Sequence, residues 1–89
     1  MVKFTAKITD PVGLHARPAG IMSTEASKFK ADMTIISEGR KGNIKSIMNL
    51  MSLAIKSGTE ITIETNGPDE EQALAGMREV MIANGIITK

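Results

Sequence analysis

The chain predicts an α+β fold: an open-faced two-layer sandwich in which a four-stranded antiparallel sheet carries three helices on one face, in the order βαββαβα. Two kinds of spacing carry that expectation. Stretches that alternate apolar with polar residues, or are rich in β-branched ones, read as strands, and between them lie segments whose apolar residues recur every three or four positions. The length, 89 residues, makes a single domain over residues 1–89 with one core and an expected radius of gyration of about 12 Å.

Val2 to Ile8 alternates, with Val2, Phe4, Ala6 and Ile8 on one face and Lys3, Thr5 and Lys7 on the other, as in a half-buried strand. Asp10-Pro11-Val12-Gly13 breaks it. Pro18 lacks an amide and is tolerated only in the first turn of a helix, which places a helix start at about residue 16. That helix is expected to run to about Lys28, with Ala19, Met22, Ala26 and Phe29 as its apolar stripe and Ile21 on its flank. Met33 to Ser37 and Ile61 to Thr65 read as further strands. Between them, Glu38 to Asn43 contains a turn and a short edge strand, pairing back as a hairpin. Ile47 to Ile55 reads as a small helix over the sheet, ended by Ser57-Gly58. Gly67-Pro68-Asp69 opens the last helix. Glu70 and Glu71 lie in its first turn, Asp69 and Gln72 are placed like a capping box, and Leu74, Met77, Val80 and Met81 face inward. Asn84-Gly85 closes it.

Composition narrows the function classes. With seven methionines and only two aromatic residues, Phe4 and Phe29, the core is expected to be aliphatic and rich in methionine. There is no cysteine and one histidine, which excludes disulfides, thiolate metal sites and histidine-rich metal sites; no cofactor is expected. No run approaches the roughly 20 apolar residues of a membrane span, and residues 1–9 lack the apolar core of a signal peptide. The expectation is a cytoplasmic protein without membrane insertion, monomeric because each apolar stripe has a sheet face to cover. A four-stranded sheet can stack bases on aromatics, but neither phenylalanine sits in an aromatic strand motif, and a formal charge of +1 disfavours nucleic acid. Local basic patches at Arg17 and at Arg40, Lys41 and Lys45 suit an acidic protein partner.

His15 lies in Gly13-Leu14-His15-Ala16-Arg17-Pro18-Ala19, where a glycine loop gives way to the first helix. A lone histidine is commonly a surface or capping residue. Here, however, it sits where the first helical amides have no internal acceptor and carry the positive end of the macrodipole, so it borders a preformed anion site. Because Pro18 has no N–H, the expected phosphate donors are the amides of Ala16 and Arg17, joined by the Arg17 guanidinium as a fork. The helix end and Arg17 are both expected to keep the ring neutral, and so nucleophilic.

Ser46 precedes the short apolar helix, where a serine commonly acts as a simple N-cap. A phosphate there would also be stabilised by the helix end and would add charge without unfolding anything. Ile47, Met48 and Met51 are candidate partner contacts, since methionines make adaptable surfaces. Packing favours the core for Met51, while for Ile47 and Met48 core and contact surface are both open.

These residues together carry a resemblance. Gly13-Leu14-His15-Ala16-Arg17-Pro18-Ala19, with Lys45-Ser46-Ile47-Met48 and Met51-Ser52-Leu53 downstream, resembles the HPr family, histidine-containing phosphocarriers of the bacterial phosphoenolpyruvate-dependent sugar phosphotransferase system. The likeness covers essentially the whole chain. It implies that His15 accepts a phosphoryl group at Nδ1 from Enzyme I and passes it to the IIA domains of sugar permeases, with Arg17 assisting. It also implies that Ser46 is the regulatory site of an HPr kinase/phosphorylase. A nitrogen-branch phosphocarrier of the same fold is the alternative. The chain departs from the family pattern at Asn49, usually glycine, at Gly20, usually threonine or alanine, and at Pro11-Val12, where small polar residues are frequent. Gly20 is expected to weaken the first helix by up to about 1 kcal/mol relative to alanine.

Overall fold

The computed structural model describes residues 1–88. Its elements run β1 (Val2–Lys7), α1 (Ala16–Ala26), β2 (Asp32–Ser37), β3 (Arg40–Asn43), α2 (Ile47–Ser52), β4 (Glu60–Asn66) and α3 (Glu70–Ala83). The order is the expected βαββαβα. The sheet is antiparallel throughout, with β4 between β1 and β2 and β3 on the far edge.

Register explains which face is dry. Phe4, Ile63, Ile35 and Gly42 stand opposite one another across all four strands. Since strand side chains alternate, this row faces the helices while the next one, Thr5, Thr62, Ile36 and Lys41, faces outward. The inner row ends at Gly42 because Leu53 occupies the adjoining space: a Cβ on Gly42 would stand 2.7 Å from the Leu53 Cδ1. The outward face carries no aromatic among the described residues, so the base-stacking surface of a nucleic-acid module is not built here. Glu38 and Gly39 both take positive φ, 52° and 78°, the two-residue turn whose twist suits a tight hairpin between β2 and β3.

Between sheet and helices lies the methionine-rich aliphatic core. Met22, Met33, Met77 and Met81 are fully buried with Ile8, Ile35, Ile44, Leu50, Ile61, Ile63, Ile86 and Ile87. Such flexible side chains fill an irregular space that the two phenylalanines, both only partly buried, leave to them. The radius of gyration is 11.3 Å, close to expectation.

Three local expectations are corrected. The first helix stops at Ala26 instead of Lys28. There Lys28 and Phe29 donate to Glu25 and Ala26 in tighter i→i+3 bonds, and the next two amides leave the helix altogether. Those amides, of Lys30 and Ala31, donate to the two carboxylate oxygens of Asp69 at 2.9 and 2.8 Å. Asp69 is the N-cap residue of α3 but makes no side-chain cap bond, so it does not form the capping box with Gln72; it clamps the α1–β2 connection instead. The short helix also ends early, at Ser52, because Ala54 turns left-handed at φ 50°. That reversal buries Ile55 and turns its carbonyl toward the loop before α1. In α3, Leu74, Met77, Val80 and Met81 face the core as expected, Met77 and Met81 fully buried with Ala73, and Leu74 and Val80 partly buried against it.

The Asp69 clamp has a pH consequence. Hydrogen bonding from the Lys30 amide, opposed by desolvation and reinforced by the Ala31 amide, holds its carboxyl below the ordinary 3.8. A folded-state pKa below the unfolded one contributes stability that is complete above the unfolded value and lost as pH falls through the folded one. Thermal stability is therefore expected to be flat from neutrality down to about pH 5 and to fall at lower pH, the Asp69→Asn variant showing a shallower fall. A pH series of thermal melts checks this; equal slopes for the two proteins would contradict it.

Candidate functional site

The loop from Thr9 to His15 is pinned almost amide by amide. Thr9 donates to the Ile86 carbonyl at 2.8 Å, Gly13 to Asp10 at 2.9 Å, and Leu14 to Ile55 at 2.9 Å. Gly13 is required at its position: its φ is +86°, and a Cβ there would stand 2.5 Å from the Ile55 carbonyl oxygen. Leu14, buried beneath the loop, fixes its depth. The chain then enters α1 at Ala16, as Pro18 predicts.

His15 is the N-cap residue of α1, in extended conformation, and its side chain makes no cap bond. Its carbonyl accepts from Ala19 at 3.0 Å, so the ladder begins there. Among the described residues, the amides of Ala16 and Arg17 have no acceptor. They are the two orphan donors expected, at the positive end of an 11-residue helix. The imidazole is 35% exposed, open enough to meet a partner yet seated on the loop.

Beneath it is a residue the sequence reading did not single out. Asp10 is 6% exposed at its side chain, and each of its oxygens is engaged. Oδ1 accepts from the Val12 amide at 3.0 Å and lies 3.4 Å from the His15 Nε2, while Oδ2 accepts from the Arg17 Nη2 at 3.1 Å. The Val12 hydrogen bond, against the cost of burial and with the His15 ring and the Arg17 guanidinium close by, holds the Asp10 carboxyl below its usual range. To the two positive features foreseen around His15, the structure thus adds an anion. The available signal was Asp10-Pro11-Val12-Gly13 itself, since aspartate readily accepts from the amide two residues on and so starts a turn.

Ser46 is the N-cap of α2, and its Oγ accepts from the Asn49 amide at 3.2 Å. Asn49, one of the departures from the family pattern, turns its side-chain carbonyl back to accept from the Asn43 amide, joining α2 to the end of β3. Ser23 of α1 donates to the Lys45 carbonyl at 2.9 Å, tying the segment before Ser46 to the helix that carries His15.

Of the candidate contacts, Met48 is 81% exposed and Ile47 is also exposed. Met51, expected in the core, is 41% exposed. The reason is the helical period: Met51 lies four residues after Ile47 and shares its outward face, while Leu50 alone supplies the buried side. Arg17, Gly20, Ile21 and Ile47 line one shallow depression, which joins the mouth of α1 to the apolar end of α2. A Cβ on Gly20 would meet nothing within 4 Å, so no close contact in the structure calls for glycine there.

Comparison with known proteins sets this arrangement among phosphocarriers, proteins that hand on a phosphoryl group and are not catalytic enzymes. The family model of the PTS HPr component phosphorylation site matches residues 2–83. The chain belongs to the HPr family and is a phosphocarrier of the phosphotransferase system. It is 54% identical to the phosphocarrier protein HPr of Mycoplasma capricolum subsp. capricolum, over 98% of each chain. A solved mycoplasmal histidine-containing phosphocarrier protein superposes with a TM-score of 0.97 at 52% identity, covering 99% of this chain and 100% of that one. The HPr-like protein Crh of Bacillus subtilis is 45% identical over 83% of this chain and 87% of its own. No helix among the described residues is long and apolar enough to cross a membrane, and no group of three metal-ligating side chains forms among them.

Proposed function

We propose that His15 is the phosphoryl acceptor of this carrier. The reading rests on one observation above all: a half-exposed imidazole stands at the start of α1 beside the unpartnered amides of Ala16 and Arg17 and the Arg17 guanidinium. The Nδ1 lone pair attacks phosphorus as the bond to the donor breaks. The incoming dianion then meets the two amides and the positive helix end, a stabilisation of about 0.3–2 kcal/mol. That is strong enough to orient the group and weak enough to release it. Arg17 adds a planar charged fork on leaving Asp10. The donor is Enzyme I and the acceptors are IIA domains of sugar permeases, docking over the depression between Arg17 and Ile47 and onto the exposed Met48 and Met51 of the same short helix. The carrier works as a cytoplasmic monomer.

Ser46 is the second, regulatory site, addressed by an ATP-dependent HPr kinase/phosphorylase. Support comes from its place at the N-cap of α2, where added negative charge meets a helix start, and from the likeness to Crh, described as the catabolite repression HPr of Bacillus subtilis. Phosphorylation followed by intact mass tests both assignments. Phosphoenolpyruvate with Enzyme I is expected to add one acid-labile phosphoryl group, and ATP with the serine kinase one acid-stable group. An acid-stable product from the first reaction would overturn the His15 assignment.

Ser46→Ala separates the roles. Loss of the cap is expected to cost about 0.5–2 kcal/mol of stability and to abolish ATP-dependent labelling, while labelling through Enzyme I continues at the original rate. A loss of Enzyme I labelling would contradict the division between the two sites.

A further inference from the structure

We infer that Asp10 is a positioning residue of the phosphoryl site, holding His15 through Nε2 so that Nδ1 is the ring nitrogen presented to phosphorus, and holding Arg17 in reserve beside it. The inference rests on His15 being the acceptor, as proposed above.

Its geometry is specific. Asp10 is almost wholly enclosed, its Oδ1 is fixed by the Val12 amide at 3.0 Å, and that same oxygen faces Nε2 at 3.4 Å. A neutral imidazole carries one proton, on either nitrogen, and a carboxylate beside one of them selects the tautomer with the proton there. Here that is Nε2–H, which leaves the Nδ1 lone pair unprotonated. At 3.4 Å the resting contact is longer than a good hydrogen bond, and such contacts tighten as charge develops. Charge does develop on this ring. As the Nδ1–P bond forms and the phosphorus–donor bond breaks, the electron pair of the broken bond departs with the donor and no proton moves. The imidazole then carries positive charge, delocalised to Nε2–H, and faces an anion already in place. This is the division of labour in a catalytic triad, where a buried carboxylate orients the imidazole and stabilises its cationic form.

The other oxygen holds Arg17. While Oδ2 accepts from the Arg17 Nη2 at 3.1 Å, the guanidinium is held by the same carboxylate whose other oxygen faces the ring. A phosphoryl dianion on Nδ1 competes with Asp10 for Arg17, so the carboxylate weakens the hold on the cargo. Asp10 thus acts on both directions of transfer.

Asp10→Asn isolates the effect, because the asparagine carbonyl can still accept from the Val12 amide and keep the turn, while the charge is lost. Long-range 1H–15N NMR of the unphosphorylated protein is expected to show His15 almost entirely as the Nε2–H tautomer, and the variant to shift population to Nδ1–H. Phosphoryl uptake at saturating phosphorylated Enzyme I is expected to slow by about tenfold or more, with KM for Enzyme I nearly unchanged, since Asp10 lies beneath the docking surface. An unchanged tautomer population and an unchanged rate in Asp10→Asn, or a wild-type proton resident on Nδ1, would overturn the inference. The NMR arm needs no phosphorylation, so it separates failure here from failure of His15 as acceptor. The latter would appear as labelling of another residue in the wild-type protein.

Discussion

His15→Ala is expected to lose all phosphoryl uptake from phosphoenolpyruvate and Enzyme I, with no residual slow phase, and to keep its fold. The first half follows from there being one histidine in the chain: no second imidazole can substitute as a nitrogen nucleophile. The second half follows from what the His15 side chain does not do. It makes no cap bond to α1, and the carbonyl that starts the helix ladder is backbone and survives the substitution. A half-exposed residue without such a role usually changes stability by less than about 0.5 kcal/mol. Mass-resolved labelling and thermal melting of the same sample check both halves. Labelling that survived would remove His15 from the site, and a large loss of melting temperature would show that its side chain has a structural role.

Gly13→Ala is expected to produce the largest structural effect of any single methyl group at the site. The backbone is at φ +86°, where a Cβ costs about 1–2 kcal/mol. The new methyl would also stand 2.5 Å from the Ile55 carbonyl oxygen and 3.0 Å from the Lys56 Cα. Both neighbours are main chain and cannot rotate aside, so the loop must retreat from Ile55 and give up the Leu14 hydrogen bond. A total loss of roughly 2–4 kcal/mol is expected, which for a domain this size lowers the melting temperature by about 10–25 °C. Because His15 is two residues downstream, uptake is expected to slow as well, by about a hundredfold for a displacement near 1 Å. Melting curves and single-turnover transfer rates at a temperature where both proteins are folded measure the two effects. Wild-type stability in this variant would show that the loop is not held against Ile55.

How much of this was legible beforehand depends on the range of the interactions. Element order, the start of α1 and a hairpin somewhere within residues 38–43 follow from local rules: alternation in β1, the missing amide of Pro18, and a glycine-containing polar run between strand-like segments; that Glu38 and Gly39 alone form the turn is seen only in the structure. The place of His15, Ala16 and Arg17 at a helix start follows for the same reason, since such a start exposes its amides whatever the rest of the fold does. The errors arise where a side chain answers to something distant in sequence. Asp69 looks like a cap for the helix it precedes, but its carboxylate is taken by two amides 38 and 39 residues away. The apolar run after residue 47 continues to Ile55 and so reads as helix throughout, whereas Ile55 is buried by a reversal at Ala54 that presents its carbonyl to Leu14. Met51 looked internal from hydrophobicity alone, yet a helix of six residues has only one buried side, and Leu50 takes it. Asp10 reads in sequence only as part of a strand-breaking turn, because its partners are brought to it by the turn it helps to make.

The proposed chemistry comes down to one bond. Heteronuclear NMR of 15N-histidine-labelled protein, phosphorylated with phosphoenolpyruvate and Enzyme I, is expected to show phosphorus coupled to the Nδ1 of His15 with the proton retained at Nε2. Phosphorus on Nε2, on the Ser46 hydroxyl or on any other atom would contradict it.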